Sequence, residues 1–273
     1  MSELPMLIIG STGNTGVRVD ARLRSRGIAT KSVSRSTAIP FDWARPETWA
    51  AALDRVSRVY VTCQSDLAVE GDADAIAELS GLAPQKGLEH VVLLSGRSEP
   101  GAQRAEAALQ ASGVVWTNVR ASWFNQNSEG CLIDGVLAGE IALPAGAVLE
   151  PFIDADDIAD VVVAALTDER HANKLYEVTG PRALTFAEAV AETATAAGRP
   201  IRYTQISPEA FAAGMRQAGV RDDVISRLDD LFAVVLDGRN SQVKHGVEEA
   251  LGRPARDFAD YARATAATGV WRA

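Results

Sequence analysis

The chain has 273 residues, 47% of them hydrophobic and 23% charged, which is the composition of a folded globular protein and excludes disorder as the general state. Its formal net charge of −9, from 36 acidic and 27 basic residues, argues against a nucleic-acid partner, because phosphate-backbone binding needs concentrated Lys and Arg. Cys63 and Cys131 belong to no C-x-x-C pattern, so they predict neither a disulfide framework nor a cysteine metal site.

The start of the chain and the length of its apolar runs bear on location. The start, MSELPMLIIG, carries an acid where a signal peptide would carry Lys or Arg, and its apolar run is short. No run approaches the roughly 20 apolar residues of a membrane span. We expect a cytoplasmic protein with reduced cysteines and no membrane partner.

Short β-rich runs alternate with alanine-rich segments through the first two-thirds of the chain. The runs are nearly continuous in apolar or β-branched residues, which suits strands buried on both faces of a parallel sheet. The predicted strands are residues 6–9, 29–34, 59–62, 91–94 and 114–119. The predicted helices are residues 15–26, 68–85 and 103–112. This repeated βαβ order predicts an α/β fold with a doubly wound parallel Rossmann sheet.

After residue 119 the alternation becomes less regular. EPFIDADDIADVVVAAL, residues 150–166, predicts a short strand and a helix, and KLYEVTG, residues 174–180, predicts another strand; both could return to the same sheet. From Leu184 onward the chain is mostly helical in pattern. The predicted domains are a Rossmann domain over residues 1–180, with 128–150 as an excursion to the substrate side, and a smaller, mostly helical C-terminal lobe over 181–273.

The first predicted strand runs directly into a glycine-spaced loop, IIGSTGNTG, which opens the first predicted helix. Gly10, Gly13 and Gly16 permit a tight turn and let the backbone approach a pyrophosphate, whose charge the free N–H groups of a helix N-terminus favour. Spaced glycines alone are a weak signal, but their place between strand and helix is the one that a dinucleotide fingerprint requires. The alternative is a purely structural turn.

Two segments after the second strand bear on the adenosine half of a dinucleotide. Where an NAD enzyme would place an acid on the ribose, the chain has SVSRS. Arg35 suits a 2′-phosphate, and Ser34 or Ser36 could add hydrogen bonds, so we expect NADP(H) rather than NAD(H); a surface arginine is the alternative. FDW, at the end of a possible third strand, offers Asp42 to the adenine amino group beside Trp43, or else a turn aspartate beside a core tryptophan.

Four further segments, GLEHVVLLSG, SGVVWTNVRASWFNQN, PFIDADDIADVVVAAL and YEVTGPRALTFAEA, follow the glycine loop in order. With that loop, the chain resembles the NmrA-like group of atypical short-chain dehydrogenases/reductases. FDWARPETW, ASWFNQN, VTGP and LGRPARDFADYA look most like the branch that contains the fungal ergot-alkaloid reductases making agroclavine or festuclavine, with its bacterial relatives. The resemblance covers nearly the whole chain and implies the fold and the coenzyme, but not the substrate.

The resemblance also implies roles for individual residues. Those that would hold the pyrophosphate are Gly10, Thr12, Gly13, Asn14, Thr15 and Gly16, with Arg35 on the adenosine phosphate. Those that would border the nicotinamide ribose are Thr62, Cys63, Gln64 and Ser95. Those that would line the nicotinamide and substrate side are Ala121 to Phe124, which include Trp123, and Asn127. For Trp123 and Phe124 the alternative is an ordinary place in the core.

The loop after the strand at 91–94 lacks the usual proton donor. Short-chain dehydrogenases that reduce ketones use Ser, Tyr and Lys, because hydride addition creates an alkoxide that the tyrosine must protonate. Ser95 occupies the place of the serine and is a weak catalytic candidate, but GRSEPGAQRAEAAL supplies neither partner. Tyr203 or Tyr261 could substitute, and Glu106 is expected to be structural.

Two functions fit a site without that tyrosine. An iminium becomes a neutral amine on hydride addition, and quinones, azo compounds and cationic dyes accept hydride with delocalised or easily protonated charge. We therefore predict an NADPH-dependent reductase of a small conjugated or iminium-type acceptor, with a quinone or azo-dye reductase as a variant. The rival is a non-catalytic NADP(H)-binding redox sensor of the NmrA type that controls a partner protein.

The remaining polar clusters predict structure rather than chemistry. In DADDIAD, residues 154–160, four aspartates lie where a helix begins, and acids there favour the free N–H groups and the dipole. The three histidines show no spacing of shared ligation, so we predict no metal site. The expected partner is a small-molecule substrate, and a homodimer is possible.

Overall fold

A computed structural model of the chain describes residues 4–63 and 72–272, so the predicted site residue Gln64 lies outside the described residues. The chain forms two compact units. The first comprises Met1–Ala121, Ala155–Val178 and Gly246–Arg253, and the second comprises Ser122–Asp154, Thr179–His245 and Pro254–Ala273. The predicted division at residue 180 differs from this one, because the chain leaves the first unit after residue 121 and re-enters it twice.

The secondary structure alternates as predicted through the first two-thirds of the chain. The described residues form ten strands: β1 (Met6–Ile9), β2 (Thr30–Val33), β3 (Arg58–Val61), β4 (His90–Gly96), β5 (Val115–Ala121), β6 (Glu140–Leu143), β7 (Leu149–Glu150), β8 (Lys174–Val178), β9 (Leu184–Thr185) and β10 (Arg202–Gln205). They also form eleven α-helices: α1 (Asn14–Ser25), α2 (Trp49–Leu53), α3 (Asp72–Leu82), α4 (Pro100–Ala111), α5 (Ile133–Ala138), α6 (Ala155–Thr167), α7 (Phe186–Ala197), α8 (Pro208–Gln217), α9 (Asp222–Val235), α10 (Gly246–Leu251) and α11 (Phe258–Thr268).

In the described part of the first unit, six strands form a parallel sheet in the order β2-β1-β3-β4-β5-β8. This confirms the predicted α/β class and doubly wound parallel sheet. Leu7 and Ile8 point to opposite faces of β1 and both are fully buried, so both faces of the sheet are covered. Because the strands are parallel, their carboxyl ends share the edge at which such folds bind ligands.

Helix α6 packs against α1 through ion pairs between their side chains. The guanidinium of Arg22 on α1 lies 2.6 Å from Asp156 and 2.7 Å from Asp160 of α6. Asp156 and Asp157 are in the first turn of α6, where the sequence predicted acids at a helix start. Asp156 and Asp160 of DADDIAD therefore also tie α6 to α1 through Arg22.

Helix α10 returns a late segment of the chain to the first unit. A Cβ atom on Gly246 would lie 2.3 Å from the carbonyl oxygen of Glu177, so α10 begins in direct contact with β8. Arg253, just after α10, places Nη2 2.7 Å from Asp157 and 2.6 Å from Asp160 of α6. Residues 246–253 thus pack on both β8 and α6.

Two predicted strands take a different form. The possible third strand before Phe41 is a single bridge between Ser34 and Pro40, because proline has no N–H to continue a ladder. The strand predicted at the start of 150–166 is the short β7, which pairs antiparallel with β9 in the second unit and does not return to the main sheet. The strand predicted at 174–180 does return, as β8 beside β5.

The second unit is mostly helical from β9 onward, as predicted. Its described part also contains two small two-stranded sheets, β6 with β10 and β7 with β9. Its core is aromatic: the Phe152 ring contacts Phe186 and Phe258 edge to face, and Trp271 is fully buried. No helix within residues 4–63 and 72–272 has the length and apolarity needed to cross a membrane.

Candidate functional site

The glycine loop joins the carboxyl end of β1 to helix α1. The N–H groups of Gly10 and Ser11 donate to the carbonyl oxygen of Val33 at 3.0 and 3.1 Å, which ties the loop to the end of β2. Gly10 has φ +75°, and a Cβ atom on Gly16 would lie 2.2 Å from the Gly10 carbonyl oxygen. The loop can therefore close this tightly only with glycine at position 16.

The N-terminus of α1 suits an anion. Gly13 is the N-cap residue, and among the described residues no side chain caps the helix there. The first turn contains no acid, and Thr12, Gly13 and Asn14 are exposed. Free N–H groups and the helix dipole therefore meet solvent beside a backbone surface without side chains, which fits a pyrophosphate.

Thr15 has a different position from its neighbours in the loop. Its side chain is 3% exposed, and its hydroxyl accepts a hydrogen bond of 2.8 Å from the phenol of Tyr60 on β3. Burial raises the pKa of Tyr60 well above its ordinary value, so the phenol stays protonated and donates. Thr15 supports the first turn of α1 from inside the protein. The sequence signal for this contact is a polar phenol within the apolar run RVYV.

Arg35 lies directly after β2 and is exposed. Within the described residues it makes no hydrogen bond or ion pair. The preceding residue is buried: Ser34 lies with Oγ 3.2 Å from Ser36 Oγ, and its N–H donates to Thr37 Oγ1 at 2.8 Å. This turn holds the backbone at the end of β2 and leaves the guanidinium in solvent, as a phosphate-binding side chain requires.

Asp42 and Trp43 have contacts within the first unit. Asp42 Oδ1 accepts the N–H of Ala44 at 3.1 Å, and its carbonyl oxygen accepts the indole N–H of Trp49 at 2.8 Å. The Trp43 indole donates to the carbonyl oxygen of Thr62 at 3.3 Å and packs edge to face on Phe41. These are the contacts of a turn aspartate beside a core tryptophan, and an adenine contact stays a prediction.

The residues after β3 lie against the glycine loop. A Cβ atom on Gly10 would lie 2.5 Å from Thr62 Cγ2, so the two segments are in contact. Thr62 and Cys63 are both half-buried, and Cys63, which is in no disulfide within the described residues, packs beside the core. The structure therefore brings two of the residues predicted to border the nicotinamide ribose to the end of β1.

Ser95 is the penultimate residue of β4 and is buried. Its hydroxyl donates to Oε1 of Glu106 on α4 at 2.5 Å. Glu106 is buried as well and accepts two hydrogen bonds from Arg120 on β5, from Nε at 3.0 Å and from Nη2 at 2.5 Å. This pairing with Glu106 raises the pKa of Arg120. The proton of Ser95 is therefore engaged by a carboxylate that a guanidinium holds in place.

The loop between β4 and α4 contains a buried acid that the sequence analysis did not single out. Ser98 adopts φ +58°, which turns the chain so that the carboxylate of Glu99 lies over Gly96. A Cβ atom on Gly96 would come 1.9 Å from Glu99 Oε1. A glycine followed three residues later by an acid, just before the proline that opens α4, is the signal present in the sequence.

The tyrosines considered as substitute donors are engaged elsewhere. Tyr203 donates to the carbonyl oxygen of Leu143 at 3.3 Å. The phenol oxygen of Tyr261 lies 2.9 Å from Ser128 Oγ, and burial raises its pKa well above the ordinary value. Tyr203 is half-buried, and its partial burial raises the pKa of its phenol as well. A phenol with a raised pKa is a poor acid, which argues against either tyrosine as the proton donor.

The predicted nicotinamide and substrate residues fall in both units. Ala121 ends β5 in the first unit, whereas Trp123, Phe124 and Asn127 belong to the second. The Trp123 indole stacks on Phe232, with ring centroids 5.8 Å apart, which fits an ordinary place beside the core.

The amides that follow Phe124 differ in their contacts. Phe124 and Asn127 are half-buried. The side-chain amide of Gln126 donates to the buried carboxylate of Asp154 at 2.9 Å. Asn125 is fully buried, and its side-chain amide finds no hydrogen-bond partner among the described residues. A substrate contact for Trp123, Phe124 and Asn127 stays a prediction.

Comparison with known proteins adds relatives of similar length. No family model matches the chain. It is 32% identical to the NAD(P)H azoreductase of Xenophilus azovorans, over 96% of this chain and 98% of that protein. It is 25% identical to the agroclavine dehydrogenase of Claviceps fusiformis, over 94% and 96%. The NADPH complex of the NADPH-dependent quinone oxidoreductase from Escherichia coli has the same fold, with a TM-score of 0.79, 20% identity and coverage of 95% and 99%.

The azoreductase match extends over nearly the full length of both proteins at a level that decides the family. The chain belongs to the NmrA-like atypical short-chain dehydrogenases/reductases. An ergot-alkaloid reductase of the predicted branch is among its relatives. The predicted oxidoreductase class and nicotinamide coenzyme are thereby confirmed, and the glycine loop with the uncapped N-terminus of α1 fits the coenzyme's pyrophosphate.

Proposed function

We propose that this NmrA-like oxidoreductase transfers hydride from NADPH to a small conjugated or iminium-type organic acceptor. The observation that carries the proposal is the hydrogen bond that Ser95 of β4 donates to Glu106 of α4. The segment GRSEPGAQRAEAAL, which follows Ser95, supplies neither tyrosine nor lysine. When bound, the coenzyme supplies a hydride from C4 of its nicotinamide. The first unit supplies the pyrophosphate cradle and the exposed guanidinium of Arg35.

The acceptor class follows from the lack of a tyrosine or lysine proton donor in the segment after β4. A simple ketone would leave an alkoxide that needs a strong proton donor. An iminium or a cationic dye becomes neutral on accepting hydride, and a quinone or azo compound gives an anion that water can protonate. The relatives, which include an NAD(P)H azoreductase, an agroclavine dehydrogenase and an NADPH-dependent quinone oxidoreductase, support this range.

Several finer assignments belong to the same proposal. We place the 2′-phosphate at Arg35 and Ser34, and the acceptor beside Trp123, Phe124 and Asn127, as the family resemblance implies. Small organic molecules are the proposed partners in a cytoplasmic setting, and a homodimer is a further prediction. A redox sensor that binds NADP(H) without turnover is the competing function.

The test is turnover of NADPH with a panel of cyclic imines, quinones, azo dyes and triarylmethane dyes, followed by loss of the reduced nicotinamide absorbance. We expect turnover with at least one class and stronger binding of NADPH than of NADH. Tight binding of NADP⁺ with no turnover of any acceptor would favour the sensor and contradict the proposal.

The phosphate assignment is tested by Arg35→Glu. Because the substituted carboxylate would repel the 2′-phosphate, we expect the NADPH dissociation constant to rise about a hundredfold or more and the NADH constant to change little. Arg26→Glu, the same charge change at an exposed site after α1, is the control. An Arg35→Glu protein that keeps its preference for NADPH would refute the assignment.

A further inference from the structure

We propose that Glu106 and Arg120 fix the hydrogen-bonding direction of Ser95, and thereby make the active site favour cationic acceptors over acceptors that become oxyanions. The inference rests on the proposed hydride transfer and names its substrate class more narrowly. Glu106 and Arg120 act as positioning residues, because their effect passes through Ser95.

The first step is the hydrogen bonding of Glu106. Its side chain is 3% exposed, so its oxygens need hydrogen-bond partners within the protein. The two hydrogen bonds from Arg120 supply such partners in a bidentate geometry. Arg120 also lies 3.6 Å from Glu177. Glu106 is therefore a pure hydrogen-bond acceptor.

The second step is the orientation of the Ser95 hydroxyl. A serine hydroxyl has one proton to donate and two lone pairs to accept with. Because Ser95 Oγ donates its proton to Glu106 Oε1, 2.5 Å away, the hydroxyl has only lone pairs left for any other group. Ser95 also sits at the carboxyl end of β4, the edge of the parallel sheet where this fold binds its ligands.

The third step is the charge that develops on the acceptor. Hydride addition to an iminium or a triarylmethane cation forms one C–H bond with the two electrons of the hydride and cancels the positive charge, so no proton is required. Addition to a quinone leaves those electrons as negative charge on oxygen, and the proton must come from water. Lone pairs of Ser95 attract the first kind of acceptor and offer no donor to the second.

The variant that tests this is Glu106→Gln. The glutamine carbonyl can keep accepting from Arg120 while its NH2 group donates to Ser95, which turns the serine proton outward as a donor. We compare kcat/KM for a triarylmethane dye cation with kcat/KM for a naphthoquinone. We expect the ratio of the first to the second to fall about tenfold, because Ser95 becomes the acceptor instead of the donor in its hydrogen bond with residue 106. The dissociation constant of the dye, measured by its spectral shift without coenzyme, should rise.

Three further variants separate the direction of Ser95 from general effects of charge. Glu177→Gln removes the same charge from the same arginine without touching Ser95, so the ratio should stay as in the wild type. Ser95→Ala should lower the ratio by itself, because it removes the lone pairs. Adding Glu106→Gln to Ser95→Ala should then change nothing more.

The outcomes are distinct. Three results would each overturn the inference. In the first, Glu106→Gln lowers kcat/KM equally for the dye and the quinone; in the second, Glu177→Gln shifts the ratio. In the third, Glu106→Gln has its full effect on the ratio even when Ser95 is already alanine. NADPH affinity and the thermal midpoint show whether each variant is folded. If Glu106→Gln does not fold, Ser95→Ala still tests the inference, because an unchanged ratio of dye to quinone in that variant would contradict it. Absence of turnover in the wild type would instead refute the proposed function itself.

Discussion

Tyr60 is a buried phenol whose hydrogen-bond partner in the described part of the chain is Thr15 of the glycine loop. At the scale of single residues, we expect this side chain within the sheet to act on the proposed coenzyme site without touching the coenzyme. The contact supports the first turn of α1, whose N–H groups would face the pyrophosphate in that proposal.

We therefore expect Tyr60→Phe to raise the NADPH dissociation constant about threefold to tenfold, the cost of one buried hydrogen bond, with kcat nearly unchanged. Fluorescence titration measures the binding. Thr15→Val should have a similar effect, and the two changes together should not add. Tyr176→Phe, which removes a phenol bonded to His171 in the same unit, should leave the affinity as it is. Additive losses would contradict the assigned contact.

The identity of single site residues was predictable only in part. The exposed position of Arg35 after β2 could be predicted, because its spacing from the glycine loop is fixed by one βαβ unit, whereas its contact with a phosphate stays a prediction. Glu106 was expected to be structural, because its meaning depends on Ser95 from one strand and Arg120 from the next. Sequence patterns do not give the rotation of a helix against two strands, so that contact appears only in three dimensions.

At the scale of elements, the glycine loop is defined by how closely backbone segments approach. A Cβ atom added to Gly16 would clash with backbone atoms of Gly10 and Ser11, which cannot rotate away as a side chain would. Gly16→Ala must therefore open the loop. We expect at least a tenfold weaker NADPH affinity and a thermal midpoint lower by about 2 °C or more, from about 1 kcal/mol or more of strain.

Gly81→Ala is the matched control for that change. Gly81 lies in α3 with nothing within 4 Å of its ideal Cβ position, and alanine is the better helix former. The thermal midpoint should stay or rise slightly, and the NADPH affinity should not change. If Gly16→Ala bound NADPH as well as Gly81→Ala does, the close approach in the loop would have no role in binding.

Elements were predictable where periodicity and turn signals agree. The strands of the main sheet through β5 were predicted because their residues are apolar on both faces. The expected third strand failed at Pro40, which an alternation of apolar residues does not reveal as a break. The partner of β7 could not be predicted, because a two-residue strand carries no register of its own.

At the scale of the whole molecule, stability should depend on pH through His90. This histidine is the first residue of β4, and burial, with the positive charges of Arg58 and His171 nearby, lowers its pKa to about 4. In the unfolded chain the pKa is the ordinary 6.5 or so. Between these values the unfolded state binds the proton more readily, so the free energy of unfolding falls as pH drops from about 6.5 to about 4.

Urea midpoints measured between pH 7 and pH 4 check this prediction. His90→Gln keeps an amide donor for Thr117 and removes the titration, so its midpoint should fall less than that of the wild type over the same range. Carboxylates with lowered pKa values, such as Asp257, contribute equally to both proteins. Parallel pH profiles of the two proteins would show that His90 is not the titrating group.

The division into two units could not be predicted from a single break in composition. The sequence pattern changes once, near residue 180, whereas the chain crosses between the units five times. Glycine and proline lie beside two of the crossings, at Gly180-Pro181 and at Gly252 and Pro254, but no extended linker sets any crossing apart in the sequence. What the pattern does predict is the helical content after β9, since helix periodicity is a local property.

Helix α10 has a consequence for how this protein is made in the cell. Nascent chains usually complete an amino-terminal domain while later ones are still being translated. Here β8 and α6 wait for Gly246 to Arg253, which the ribosome makes only after Thr179 to His245 of the second unit. We expect the first unit to expose an incomplete apolar surface until then, and chaperones to bind it there.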